Sequence, residues 1–322
     1  MYSNRISTAA RYNLLTSDIQ KNEANYNRLT QQLASGKKYT NITEDPIAAV
    51  NIVNTSRQIG QIDTFNQNTQ LAKEELDTLD DLMELAGAYL NQAWEKGVQA
   101  SNGTYGVTSL KALKVEIDEI AKTMVDLANT EFNDNFIFGG ANTKLTPYEI
   151  DDDGNILYHG TPHSNPDYIR ETEVADGVFE VINTTGDKVF GWYNGENDYS
   201  GVMGALKVLS NSIQEVVDAR EAADPDAETA AYEKMHSTLD MFASSHNEIL
   251  TEQTKFGGVY NRLEMTESTL ETNNENLTAY LSNLQDVDIA EATTQWMQAQ
   301  YAYQASLQVA AASMNMSLLN YL

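Results

Sequence analysis

The sequence predicts a mainly α protein, an elongated helical, coiled-coil rod built from both termini, with a small β-rich domain inserted between the helices. Three observations carry that reading. Apolar residues step by 3 and 4 at both ends of the chain, a long central stretch keeps the same period, and the period vanishes between about 135 and 200.

The first helix is read over 3–35. Tyr12, Leu15, Ile19, Tyr26, Leu29 and Leu33 form its seam. Ser35-Gly36 supplies the stop, because glycine enters the left-handed conformation without a Cβ clash. A polar loop, 37–44, leads to Asp45-Pro46. There the carboxylate can accept from free N–H groups, and proline suits the first turn, where no donor is needed. The helix so opened is read from Pro46 to about Ala100, with a seam at Leu76, Leu79, Met83, Ala86, Leu90 and Ala93. About 55 residues at roughly 1.5 Å each reach about 80 Å, the dimension of a rod.

After Asn102-Gly103 a third helix shows Leu110, Leu113, Ile117, Ile120, Met124 and Leu127. Then Gly, Tyr, Asn and Asp take over. Candidate strands are Phe136–Phe138, Ile156–His159, Val178–Asn183 and Lys188–Phe190, separated by turns at Asp153-Gly154-Asn155, Asp176-Gly177 and Gly186-Asp187. Helical period resumes at Met203, breaks at Asp224-Pro225, and continues to about Leu281. Asp286 or Asp288 can cap the final helix. The expected division is therefore 1–45 with 285–322 as terminal coiled-coil segments, 46–134 with 201–284 as a helical rod, and 135–200 as the β-rich insertion.

Charge is distributed unevenly. The net charge of −27 argues against nucleic acid or an anionic membrane as the main partner, since both call for clustered Lys and Arg. Residues 1–40 nevertheless carry six basic and two acidic side chains. The 31 residues from Ala292 to Leu322 contain no Asp, Glu, Lys, Arg or His. Five glutamines interrupt that stretch, so it reads as an amphipathic helix and not as a bilayer span. Its seam is placed at Trp296, Tyr303, Leu307, Ala310 and Met314. A helix packed on one partner still solvates its opposite face, yet here every face lacks charge, which marks the tail for burial among several subunits.

No cysteine is present, which excludes disulfides and thiolate metal sites. The opening MYSNRISTAA lacks the apolar core of a cleaved signal peptide. His159 and His163 are separated by Gly160-Thr161-Pro162, which forbids a shared helix face, so they read as loop histidines. Glu149, Asp151 and Asp153 match half of a calcium loop, but its twelfth position is Gly160, and an acidic turn is the better reading. Trp192-Tyr193 and Tyr199 read as core and turn residues of the insertion, with a sugar-binding face as the alternative. No catalytic constellation, cofactor motif or metal motif emerges; the chain reads as non-enzymatic.

Leu33-Ala34-Ser35-Gly36-Lys37-Lys38, then Glu44-Asp45-Pro46-Ile47-Ala48-Ala49, resembles the N-terminal signature of the flagellin superfamily. Asp288-Ile289-Ala290-Glu291-Ala292 and the Gln/Ala-rich final helix resemble its C-terminal signature. Glu44 departs from the second Asp often found before that proline. Asn135–Gly140, Gly186–Gly191 and the ending Ser317-Leu318-Leu319-Asn320-Tyr321-Leu322 look more like the hook–filament junction family than like the filament subunit, which is the alternative.

The resemblance implies a structural flagellar subunit, exported by the flagellar type III apparatus without a cleaved signal peptide. The implied partners are neighbouring copies of itself in a ring, a hook-side junction protein, flagellin and a cytoplasmic export chaperone. It implies an assembly interface through Leu15, Ile19, Tyr26, Leu29, Leu33, Trp296, Tyr303, Leu307, Met314 and Leu318, with Ser35, Gly36, Asp45 and Pro46 as the family motif. It further implies terminal segments that stay disordered in the monomer. Amide hydrogen exchange on the isolated chain is therefore expected to be fast over 1–40 and 292–322 relative to the middle helices; slow exchange there would contradict it.

Overall fold

A computed structural model describes residues 8–39, 41, 43–195 and 197–319; the side chains of residues 8, 9 and 314–319 lie outside the description. Its helices are α1 (Thr8–Ser35), α2 (Pro46–Ala100), α3 (Val107–Ala128), α4 (Gly186–Val189), α5 (Gly201–Ala222), α6 (Pro225–Gln285) and α7 (Ile289–Leu319). The chain divides into two compact units, residues 64–271 and residues 1–63 with 272–322.

In the first unit, the apolar stripes predicted for α2 and α3 are buried: Leu76, Leu79, Met83, Ala86 and Leu90 on one, Leu110, Leu113, Ile117 and Met124 on the other. They join Met203, Leu206, Leu209 and Ile213 of α5 and Phe242, Ile249, Phe256 and Leu263 of α6 in one apolar cluster. Arg220 closes one end. It donates to Glu228 (2.7 Å), to the Gly103 carbonyl (3.0 Å) and to the Tyr232 hydroxyl (2.8 Å). The break before α6 is a cap, with Asp224 Oδ1 accepting from Asp226 (3.2 Å) and Ala227 (3.1 Å).

The β-rich segment contains three small antiparallel sheets. Strands β1 (Glu131–Phe132) and β2 (Asn135–Phe136) form a hairpin whose turn residues Asn133 and Asp134 both take positive φ, as a type I′ turn requires. Strands β3 (Tyr148–Ile150), β4 (Ile156–Tyr158), β7 (Trp192–Tyr193) and β8 (Tyr199–Ser200) pair in that order. Strands β5 (Glu171–Ala175) and β6 (Val178–Val181) make a second hairpin across Asp176-Gly177. Three candidate strands therefore exist with shifted ends. The fourth, Lys188–Phe190, is a correction: the segment belongs to the short helix α4 and its C-cap. Val189 and Phe190 are both buried, whereas a strand would send neighbours to opposite faces.

This segment shares the core of the helices. Tyr148, Phe138, Ile156 and Phe190 lie in the same cluster as α2, α3, α5 and α6. Phe138 meets Phe190 edge-on at 4.9 Å, and the buried Tyr148 hydroxyl donates to the Gly191 carbonyl at 2.8 Å. Burial pushes the Tyr148 phenol well above its ordinary pKa, so it remains a donor at any ordinary pH. Gly191 has φ +71°, and a Cβ there would stand 2.0 Å from the Ser200 carbonyl oxygen. Polar latches fix the β5–β6 hairpin to the long helices. Arg170 pairs with Glu75 of α2, Arg262 of α6 pairs with Glu180, and Asn68 donates to the Glu173 carbonyl at 2.9 Å.

Tyr148→Phe keeps the ring and removes the donor, leaving the Gly191 carbonyl without it. The expected loss is about 1–3 kcal/mol of unfolding free energy by denaturant titration. An unchanged midpoint would show that the hydroxyl is not needed.

Candidate functional site

The terminal unit, residues 1–63 and 272–322, is organised around α1 and α7, which pack together antiparallel. Tyr26 sits between two rings of α7, 5.8 Å from Trp296 and stacked 6.1 Å from Tyr303. Trp296 Nε1 donates to Thr30 Oγ1 at 2.9 Å, and that hydroxyl donates to the Tyr26 carbonyl at 2.8 Å. A partly buried indole N–H needs such an acceptor.

Beyond the helices, the loop after α1 and the loop before α7 form a short antiparallel ladder. Val287 donates to the Gly36 carbonyl (2.9 Å) and Lys38 donates to the Gln285 carbonyl (2.6 Å), around a Lys37–Asp286 bridge. Gly36 makes the turn with φ +71°, its N–H bonded to the Gln32 carbonyl at 2.8 Å. The buried Gln32 side chain donates to the Lys38 carbonyl. Lys38 Nζ reaches the Asn283 carbonyl (2.8 Å) near the end of α6, where the helix dipole is negative. Ser35 Oγ accepts from Lys37 N at 3.2 Å.

The two predicted helix starts are present. Asp45 Oδ1 accepts from Ile47 (3.1 Å) and Ala48 (3.0 Å) with Pro46 in the first turn of α2, and Asp288 Oδ1 accepts from Ala290 (2.9 Å) and Glu291 (3.2 Å) at α7.

Among the predicted interface residues, Leu29 is buried, while Leu15, Ile19, Tyr26, Leu33, Trp296 and Tyr303 are half-buried along the α1–α7 contact. Leu307 differs, being 43% exposed. The inward stripe of α7 is Ala292, Trp296, Ala299, Tyr303, Ser306, Ala310 and Ser313, a strict heptad alternation of 4 and 3. That register passes one residue before Leu307. The side chains of Met314 and Leu318 lie outside the described residues. Sequence reasoning missed Thr30 and Gln32; the unpaired indole N–H of Trp296 was the signal for the former.

The burial of this unit is lopsided. Among its described residues, Leu29 is the one large apolar side chain that is buried, beside Ala48, Ala292 and Ala299. Exposed are Leu14, Ile47, Val50, Val53, Tyr280, Ile289, Met297, Tyr301, Leu307 and Val309, with Ile47 at 76% and Tyr301 at 69%. What the site can do chemically is therefore to dock, through apolar side chains held out on a paired helical frame.

In the acidic segment, Asp151 Oδ1 accepts from Asp153 (3.0 Å) and Asn155 (2.7 Å), and its Oδ2 from Asn155 Nδ2 (2.7 Å). These bonds make it the anchor of a turn, and they hold its pKa below the ordinary carboxylate value.

The family described as bacterial flagellin N-terminal helical region matches residues 6–143, and that described as bacterial flagellin C-terminal helical region matches residues 239–322. Between them they take in more than half of the chain. The chain is 25% identical over 318 residues to a protein of Salmonella typhimurium named flagellar hook-associated protein 3, covering 98% of each. It is 27% identical over 315 residues to the protein of that name from Escherichia coli, covering 94% of each. The crystal structure of a flagellar hook-associated protein-3 from Legionella pneumophila shares the fold, with a TM-score of 0.62 at 17% identity, over 72% of this chain and 98% of that one.

Proposed function

Because the chain belongs to the flagellin family, we propose that it is a structural subunit of the bacterial flagellum, an adaptor at the hook–filament junction that assembles through its terminal helices. The observation that carries this reading is the burial deficit of the terminal unit, with one large buried apolar side chain against ten exposed ones among its described residues. Each such side chain contributes roughly 1.5–3 kcal/mol when fully covered, before the cost of ordering is subtracted. Covering even half of them would drive association. The near-full-length likeness to two hook-associated proteins favours the junction over the filament shaft.

On this reading the chain works by docking and not by chemistry. Neighbouring copies in a ring supply the first cover for α1 and α7. A hook-side junction protein and flagellin receive the two ends of the ring, and an export chaperone shields the same apolar faces in the cytoplasm before secretion. Residues 1–45 with 285–322 act as the assembly core, 46–134 with 201–284 as the rod, and 135–200 as the outward domain. The resident place of the protein is the flagellum.

Two changes test the proposal in a strain whose own copy is deleted. Removing 292–322 should leave a folded 64–271 unit by circular dichroism and cells without motility. Tyr26→Ala, which empties the gap between Trp296 and Tyr303, should weaken subunit retention at the junction about tenfold, the effect of losing ~1.4 kcal/mol in total. Full motility with the truncated chain would overturn the reading, and thousands of copies per flagellum would assign the chain to the filament.

A further inference from the structure

The aromatic pair Trp192-Tyr193 divides in the structure. Successive strand residues point to opposite faces. Tyr193 is buried, its hydroxyl accepting from Asn211 Nδ2 at 2.9 Å. Trp192 instead lines a cavity of about 550 Å³, within the size range of small-molecule sites. Its indole is fixed from behind: Nε1 donates to Asp198 Oδ1 at 2.9 Å, and Asn194 Nδ2 donates to Asp198 Oδ2 at 3.2 Å. Both bonds lower the Asp198 pKa, so the carboxylate that holds them stays charged. A ring and an amide are thus preorganised beside each other, and the assembly surface uses neither.

We propose that this cavity is a binding site for a neutral carbohydrate, one hexopyranose unit lying against Trp192 with its hydroxyls taken by Asp187, Asn194 and His159. A pyranose presents an apolar C–H patch and a ring of hydroxyls that both donate and accept, and the lining matches both. Trp192 and Leu157 form the apolar wall. The Asp187 carboxylate accepts from the His163 N–H at 2.9 and 3.1 Å and has lone pairs left for hydroxyl donors. The amide oxygen of Asn194 is outside its bond to Asp198, and His159, whose Nε2 lies 3.3 Å from Glu149 Oε2, adds its other ring nitrogen.

Charge sets the ligand class. No Lys or Arg occurs among the described lining residues, so a phosphate or carboxylate would meet Asp187 without a counter-charge. A quaternary ammonium wants several aromatic faces. Of the two aromatic residues lining the cavity, Tyr158 has its ring packed against Tyr148 at 5.1 Å and its hydroxyl bonded to the Phe138 carbonyl at 2.9 Å, so Trp192 supplies the main open face. A neutral polyol with one apolar side fits what remains.

Saturation-transfer NMR on the full chain, with the methyl glycosides of glucose, galactose and mannose and with choline chloride as the cationic control, tests the site. Transfer to the ring C–H protons of at least one glycoside is expected, with about tenfold weaker binding in Trp192→Ala, the loss of one stacked ring. Ser164→Trp, a change at an exposed position on the cavity rim that leaves the core untouched, should abolish it even if Trp192→Ala fails to fold. Absence of transfer from all three glycosides, binding unchanged in Ser164→Trp, or a preference for choline would overturn the assignment. Motility of the Trp192→Ala strain should be normal, which separates this site from the assembly role.

Discussion

The heptad register of α7 governs what the terminal unit can do. Its inward stripe runs through Ala292, Ala299, Ser306, Ala310 and Ser313, with Trp296 and Tyr303 as the large members. Small residues let α1 approach closely, and Tyr26 fills the space between the two rings. The same register turns Met297, Tyr301, Leu307 and Val309 outward. A helix that gave its large apolar residues to α1 would make a better isolated pair and a poorer assembly surface. The ladder at Gly36 and Val287 then fixes where the pair begins, so the outward residues stand at set positions along the frame.

Residues 64–271 follow a different regime within the same chain. Their apolar side chains close into one cluster, and the inserted sheets borrow that core instead of building another. About 65 residues of short strands are near the lower limit for independent folding, so sharing a core is the economical route to stability. At the junction of strands and helices, the buried Asn183 side chain donates to the Tyr168 carbonyl at 2.6 Å, and Thr184 Oγ1 donates to Glu252 at 3.3 Å. Glu75 is nearly buried and burial raises its pKa, while the Arg170 guanidinium pulls it back down. Such a pair adds little net stability but makes other placements of the hairpin costly, because a misplaced hairpin would strand one charge.

Local rules made most of the frame legible in the sequence. Asp45-Pro46, Ser35-Gly36 and Asp224-Pro225 mark boundaries by chemistry confined to a few residues, and the structure has boundaries at each. The stripe of α1 was readable for the same reason. In α7, Trp296, Tyr303 and Ala310 lie on the inward stripe where the sequence places them, whereas ranking residues by size picks Leu307 over Ser306. That ranking presumes that the largest apolar residues face the nearest partner, which fails for a helix with several partners. The segment Lys188–Phe190 misled because β-branched and aromatic residues signal a strand. There a single helical turn buries both Val189 and Phe190, with Phe190 against Tyr148 and Phe138. The ladder between residues 36–38 and 285–287 joins positions about 250 apart, and no local pattern encodes it.

The missing charges of Ala292–Leu322 acquire a physical reason from this geometry. An exposed helix usually keeps Lys and Glu on its outer face, where hydration costs nothing. In a closed arrangement of subunits that outer face is itself buried, and each unpaired charge carried into it would cost several kcal/mol, once per subunit. Gln, Ser and Thr solve the problem differently. Their side chains donate and accept, so they can pair with whichever neighbour arrives and can also hydrogen-bond within the helix, as Thr293, Thr294 and Ser306 do to carbonyls of the preceding turn. The one acidic residue in the first turn, Glu291, is at the N-terminal end, where the helix dipole favours it and Gln295 donates to it at 2.9 Å. In the proposed assembly, charge is thus permitted where the helix begins and excluded where neighbouring copies would close around it, and the boundary falls at the first turn of α7.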